Sequence, residues 1–377
     1  MGKNNVMVNI FSKLRYWQQQ TELKGDDIHI LPYRGYGTFD RVQVSARVLE
    51  YHDMRPNITD GAFRNAVNMY RRFESDELPN CALELQIADH IYPLNTDKEG
   101  YINQNILLRN PIVPIAKRQW YRSDWRLTDA AFNDQNIAAA GEIFIPNGNM
   151  QYGIITDIDD TVLKTHVVSK SKMLYYTFFK NAYSRLAFAG VTPLYWAWQK
   201  GDNGKCINPI FYVSNSPHNL YDLLCDFMRH NDLPKGPILL RDIVLPNSAQ
   251  ILAYKTHKYD TIVRLLNTYP NLPFLLVGDS GERDADIYTE IAGIFPNRIK
   301  AIYIRSVDDP QRNKRVQSLL ERCETTETLL FDNSLAVMQH SANKKWVQTR
   351  WLQAVNDALL RPKHNQIWED WIDEDEN

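Results

Sequence analysis

The stretch Gly153-Ile154-Ile155-Thr156-Asp157-Ile158-Asp159-Asp160-Thr161 decides how the chain is read. It opens with a short run that is apolar at consecutive positions rather than alternate ones. A strand of that kind buries both faces, which places it in a parallel sheet covered by helices. The run ends on clustered carboxylates and a hydroxyl. In layers of this type ligands collect beyond the carboxyl ends of the strands.

Downstream the pattern repeats. Ile210-Phe211-Tyr212-Val213, Ile238-Leu239-Leu240, Phe274-Leu275-Leu276-Val277 and Ala301-Ile302-Tyr303-Ile304 alternate with helical stretches. Right-handed crossovers between such strands predict a doubly wound α/β layer. Upstream the period changes to two. Val42, Val44, Ala46 and Val48 alternate with Gln43, Ser45 and Arg47, and Leu83, Leu85 and Ile87 alternate with Glu84 and Gln86. Alternation means one buried and one wet face, as in an antiparallel β-sandwich. Ile143 and Ile145 flank Phe144 before the turn Pro146-Asn147-Gly148. Ala62 to Phe73 reads as an inserted helix, and Pro32-Tyr33-Arg34-Gly35-Tyr36-Gly37 as a loop by its glycines. The expected organisation has four parts. An amphipathic segment (1–27) precedes a β-sandwich-like domain (28–150). An α/β domain (151–340) follows, with a helical cap insert at about 165–205, and a C-terminal helix with an acidic tail (341–377) ends the chain.

Composition excludes several function classes. The chain has 377 residues, 44% hydrophobic and 23% charged, which is ordinary globular composition with room for two domains. A formal net charge of -2 gives no bulk attraction to nucleic acid. Cys81, Cys206, Cys225 and Cys323 form no C-x-x-C pair, so neither zinc nor a dithiol redox site is indicated. Scattered thiols suit a reducing compartment. The start of the chain lacks the apolar core of a signal peptide, and no apolar run is long enough to span a bilayer. The Met-Gly start lacks the Ser or Thr that a myristoylation signal prefers. The expected location is cytoplasmic, with a peripheral membrane contact left open.

Four pieces carry chemistry. In Asp157-x-Asp159-x-Thr161, one carboxylate can attack phosphorus in line, while a second, two residues on, serves as general acid and base. Clustered acids also suit magnesium, a hard cation that neutralises phosphate charge. A calcium loop fails here, because Val162 stands where glycine is required and Val168 where glutamate is. The bland alternative is a turn with helix-capping acids. Ser214-Asn215-Ser216 follows the second strand, and a hydroxyl with backbone N–H groups opening a helix cradles phosphate; a plain N-cap before Pro217 is the rival. Lys258, at the start of a helix expected over 259–266, would offset the repulsion between phosphate and Asp157, with Lys255 as the reserve choice and a surface lysine as the alternative. In Gly278-Asp279-Ser280-Gly281-Glu282-Arg283-Asp284, Asp279 can complete a metal site, and Asp284 can hold the metal's water shell or Lys258. The serine-protease reading of Gly-Asp-Ser-Gly fails, since Glu282 stands where a second glycine would and the motif joins a strand to a helix.

This order of an acid pair, a hydroxyl, a lysine and a Gly-Asp motif resembles the haloacid dehalogenase-like superfamily. The resemblance implies Asp157 as nucleophile and metal ligand, and Asp159 as acid/base with its backbone carbonyl on Mg2+. It further implies that Thr161 supports the loop, that Ser214 and Lys258 bind phosphate, and that Asp279 is the third metal ligand; Asn215 joins the phosphate residues and Asp284 the metal residues by their place in the motifs. A closer likeness rests on Phe211-Tyr212-Val213-Ser214-Asn215-Ser216-Pro217, Gly236-Pro237-Ile238-Leu239-Leu240-Arg241-Asp242, Val277 to Asp284 and Pro32 to Gly37. These resemble the phosphatidate phosphatase family named after a yeast actin-patch protein. The likeness implies hydrolysis of phosphatidate to diacylglycerol and phosphate. Soluble phosphomonoesters are the alternative substrates, and a binding scaffold with a vestigial site is the alternative class. The insert between Thr161 and Ser214 carries Met173-Leu174-Tyr175-Tyr176-Thr177-Phe178-Phe179 and Leu194-Tyr195-Trp196-Ala197-Trp198, with interspersed lysines. Such a segment either seats in a lipid headgroup region or packs on the body of the enzyme.

Overall fold

The computed structural model describes residues 28–50, 78–132, 136–158, 161–162, 187–241 and 250–360, with the backbone alone for 250–256. The expected helix at 62–73, the amphipathic start, Asp159, the aromatic run at 173–179, the side chain of Lys255 and the acidic tail lie outside that description.

The described strands between residues 28 and 144 form one hydrogen-bonded sheet. Its strands are β1 (Ile28–Pro32), β2 (Gly35–Gly37), β3 (Arg41–Glu50), β4 (Ala82–Ile87), β5 (His90–Asn95), β6 (Tyr101–Leu107), β7 (Trp120–Leu127) and β8 (Ala138–Phe144). The order is β1-β3-β2-β8-β7-β4-β5, with β6 along the other edge of β3. Every pairing is antiparallel except β2 with β8. Val42, Val44, Ala46, Val48, Leu83, Leu85 and Ile87 point into one core, as their alternation requires. The glycine-rich stretch expected to be a loop supplies strand β2. Its glycines answer a different need, close approach: a Cβ on Gly37 would lie 2.2 Å from the Arg41 carbonyl oxygen, and one on Gly35 2.7 Å from that of Gln43.

The second half alternates strand and helix. Along the chain come β9 (Gly153–Asp157), α1 (Val191–Lys200), β10 (Ile210–Pro217), α2 (Tyr221–His230), β11 (Ile238–Arg241), α3 (Gln250–Thr268) and β12 (Phe274–Asp279). Then follow α4 (Asp284–Ile294), β13 (Ile299–Arg305), α5 (Pro310–Leu320), β14 (Glu327–Phe331), α6 (Ser334–Asn343) and α7 (Trp351–Leu360). The six strands are parallel, in the order β11-β10-β9-β12-β13-β14. Successive residues of each central strand enter opposite cores. Ile154, Tyr212, Leu275 and Tyr303 pack with α1, α2, α6 and α7. Ile155, Phe211, Leu276 and Ile302 pack with α3, α4 and α5. This accounts for the unbroken apolar runs. The chain moves from β9 to β10 and β11 on one side, then returns past β9 to β12. The direction of winding therefore reverses at β9, and a crevice opens beyond its carboxyl end.

The expected wet face of β3 is not wet: Gln43 and Arg47 are buried. The parallel-sheet half covers that face. Arg47 donates to Asn219 Oδ1 at 3.2 Å, His218 stacks on Tyr33 at 4.7 Å, and Tyr269 donates to the Gly37 carbonyl at 3.2 Å. Within the insert, Leu194, Tyr195, Ala197 and Trp198 of α1 are buried in the core with α6 and α7, while Trp196 is half-buried. No helix among the described residues is long and apolar enough to cross a membrane.

Candidate active site

Three neighbouring strands deliver the acids and the hydroxyl to one crevice. Asp157 ends β9, Ser214 and Asn215 lie toward the end of β10, and Asp279 ends β12. Register fixes their heights, with Val213 beside Asp157 and Val277 beside Thr156. The strand ends are pinned from both layers. Tyr195 of α1 bonds the Thr156 hydroxyl at 2.6 Å, and Tyr288 of α4 donates to the Val277 carbonyl at 3.1 Å.

The carboxylates converge on one buried ammonium. Lys258 Nζ donates to Asp157 Oδ1 at 2.9 Å, to Glu282 Oε2 at 3.2 Å, and to Asp284 Oδ1. Lys258, Asp157, Asp279 and Asp284 are all fully buried. Lys258 does not begin a helix, as expected, but sits midway along α3. A mid-helix side chain on a backbone bonded at both ends is held more firmly than one at a frayed terminus. Asp284 reaches back with Oδ2 to accept from the Asp279 amide at 3.2 Å. Asp279 Oδ1 accepts from the amides of Gly281 and Glu282 at 2.6 and 2.9 Å. The serine of this loop is structural: Ser280 Oγ donates to Asn313 at 2.6 Å and accepts from Val307 N at 2.9 Å.

The electrostatics are unbalanced. Burial lowers the pKa of Lys258, but Asp157, Asp284 and Glu282 outweigh it and hold the ammonium well above its ordinary value. Asp279 is pushed well above the usual carboxylate range by burial, then by Asp284 and Glu282. Asp284 is raised by burial and Glu282, with Lys258 opposing. Three buried carboxylates thus face one buried ammonium, an arrangement that favours a further cation. Asp157, Asp279 and Asp284 each offer a carboxylate oxygen, all within 4.8 Å of one another. Asp279 Oδ2 is buried with no protein partner. An all-oxygen donor set of this kind fits a hard divalent cation.

The remaining predicted residues fall around this cluster. Thr161 is buried, and its hydroxyl has no partner among the described residues. Ser214 is buried, and its oxygen accepts from Ser216 N at 2.9 Å. The segment Ser214-Asn215-Ser216 does not open a helix, as expected. It continues β10 to Pro217, and α2 begins only at Tyr221. Glu282 was not anticipated as a site residue. It joins the cluster by accepting from Lys258 and from Asn215 Nδ2, the latter at 2.9 Å. Its place inside the Gly278–Asp284 loop was the available signal.

Comparisons with known proteins bear on the same half. Residues 152–306 match the family model described as phosphatidate phosphatase APP1, catalytic domain. Phosphatidate phosphatase APP1 of Saccharomyces cerevisiae is 37% identical over 167 residues, which are 44% of this chain and 28% of that protein. An uncharacterized protein of Schizosaccharomyces pombe is 31% identical over 158 residues, 41% of this chain and 25% of that protein. The chain thus spans only 28% and 25% of the curated relatives it matches. A solved β-glucuronidase from Bacteroides uniformis overlaps 89% of this chain and 43% of its own at 8% identity, with a TM-score of 0.25 that defines no common fold.

Proposed function

We propose, on the match of residues 152–306 to the family model of the phosphatidate phosphatase APP1 catalytic domain, that the chain is a magnesium-dependent phosphatase releasing phosphate from phosphatidate through an aspartyl-phosphate on Asp157. The observation that carries the reading is the buried meeting of Asp157, Asp279 and Asp284 around Lys258 at the winding reversal of the parallel sheet. The half that holds it is then a haloacid dehalogenase-like domain, and residues 28–150 a sandwich-like companion.

The chemistry follows from the residues. Asp157 is the carboxylate at the centre of the crevice, and Lys258 holds its Oδ1 at 2.9 Å. Attack on phosphorus brings two anions together, and the Lys258 ammonium offsets their repulsion. Asp157, Asp279 and Asp284 would hold magnesium, which when bound would neutralise phosphate charge. Asp159 would protonate the departing oxygen, then take a proton from the water that hydrolyses the acyl phosphate. Thr161, Ser214 and Asn215 would line the phosphate position. The backbone bonds from Gly281 and Glu282 aim Asp279 and oppose part of the upward push of its burial.

Phosphatidate is favoured over soluble esters by what the matched relative is named for. The reading places the protein in the cytoplasm, meeting its substrate at a membrane surface. Phosphate release from phosphatidate in mixed micelles, beside a panel of sugar and nucleotide monophosphates, tests it. The expected result is preferential release from phosphatidate, abolished by chelation and restored by magnesium. Faster release from a soluble ester would move the assignment to that substrate.

A further inference from the structure

A cavity of about 70 Å³, lined by polar and apolar groups alike, lies between the two halves of the molecule; none of Asp157, Asp279 and Asp284 lines it, while its His257 neighbours Ser214 and Lys258. Arg34, Tyr36 and Gln43 line it from the first sheet, His218 lines it from the segment after β10, and His257 and Arg264 line it from α3. A single water needs roughly 10–15 Å³ of such space, so the cavity has room for a small tetrahedral oxyanion.

We propose that this cavity is an anion-binding site for a phosphate group, separate from the site of hydrolysis. Its donors are placed and keep unused capacity. The Tyr36 hydroxyl is buried, faces Arg264 and completes no well-formed hydrogen bond. His257 Nε2 is likewise buried without a protein partner. Arg264 donates to Thr261 Oγ1 of its own helix at 3.2 Å and leans on the Tyr36 hydroxyl, and it is in no ion pair with a carboxylate among the described residues. Arg34 spends one bond on the Gly236 carbonyl, at 3.2 Å. Among the described lining residues the only acid is Asp97, and it is committed elsewhere: it accepts from Glu99 N and Tyr101 N, each at 2.9 Å.

The neighbouring imidazoles register their burial and the positive charge near them. His218 is pushed down to about 3, first by burial and then by His257 and Arg47. His257 is pushed down to about 4, first by burial and then by Arg264, Arg241 and Lys258. Guanidinium groups facing an unpaired hydroxyl and two imidazoles form a donor set suited to a phosphate dianion. The rings are also well placed to report it. His218 is fixed between Tyr33 at 4.7 Å and Tyr101 at 5.5 Å.

The same chemistry is carried by free phosphate and by a glycerophosphate headgroup. The test therefore titrates the full chain, without divalent metal and at constant ionic strength, with inorganic phosphate and separately with glycerol 3-phosphate. The imidazole resonances of His218 and His257 are followed by NMR. Saturable shifts of both rings are expected with at least one ligand, and the tighter ligand identifies the source. Arg264→Gln should weaken binding at least tenfold, and Arg264→Lys should recover part of that loss. Asp157→Asn should leave the affinity within about twofold, since it lies outside the cavity. Absence of saturation with both ligands would overturn the proposal. So would equal weakening by Asp157→Asn and Arg264→Gln, which would place the phosphate among the hydrolytic acids.

Discussion

Gly278 shows how closely the candidate site is built. A Cβ there would lie 2.2 Å from Asp284 Oδ2 and 2.7 Å from Asp284 Cβ. Only glycine lets Asp284 fold back against β12 while it holds both Lys258 and the Asp279 amide. Gly278→Ala should therefore displace Asp284, cost roughly 1–3 kcal/mol by overpacking, and lower turnover with it. Chemical denaturation and phosphate release on the same preparation check both effects. At this scale the sequence was informative because Asp157 and Asp279 each follow an apolar run, which puts a carboxylate at a strand end. Glu282 and the mid-helix position of Lys258 were less legible. Both depend on which face of a helix or loop turns inward, and one sequence does not order the partners across the crevice.

Among elements, β2 is the telling case. Glycines in Gly35-Tyr36-Gly37 resemble turn residues, yet here they let β2 lie against β3 while Tyr36 enters the helix-covered core of the other half. Gly37→Ala would drive a Cβ into the Arg41 carbonyl, a backbone atom that cannot swing aside. The expected loss is about 1–3 kcal/mol, read as a lower denaturant midpoint at unchanged slope. Five of the six parallel strands were legible as consecutive apolar residues. The sixth, β14, was not: its run is interrupted by polar residues, Glu327 is exposed, and Thr328, Leu329 and Leu330 are only half-buried. An edge strand has one neighbour fewer and tolerates such a break, although the other edge strand, β11, keeps its apolar run.

For the whole molecule, the decisive feature is the contact between the halves. Period-two alternation along β3 reports a single buried face, whereas Gln43 and Arg47 are buried by a second partner. Polar residues spent on an interface look identical to polar residues spent on water. The interface carries a pH dependence. His218 and His257, held at about 3 and about 4, lie below the 6.5 of an exposed imidazole. From about pH 6.5 downward the unfolded chain therefore binds protons that the folded chain refuses. Stability is complete above pH 6.5 and falls on acidification, by on the order of 1 kcal/mol per group per pH unit, until the folded-state values are reached. Urea midpoints at pH 7 and pH 5 measure this. His218→Phe, which keeps a ring between Tyr33 and Tyr101, should be less acid-sensitive than the native chain.

These scales converge on Asp157, where strand end, buried ammonium and carboxylate cluster meet. The most direct measurement is magnesium-dependent phosphate release by Asp157→Asn beside the native chain, with circular dichroism on both. The predicted result is no turnover above background with an unchanged fold, because an amide cannot displace the leaving oxygen from phosphorus. Near-native, magnesium-dependent release by the folded variant would contradict the assignment of Asp157 as nucleophile.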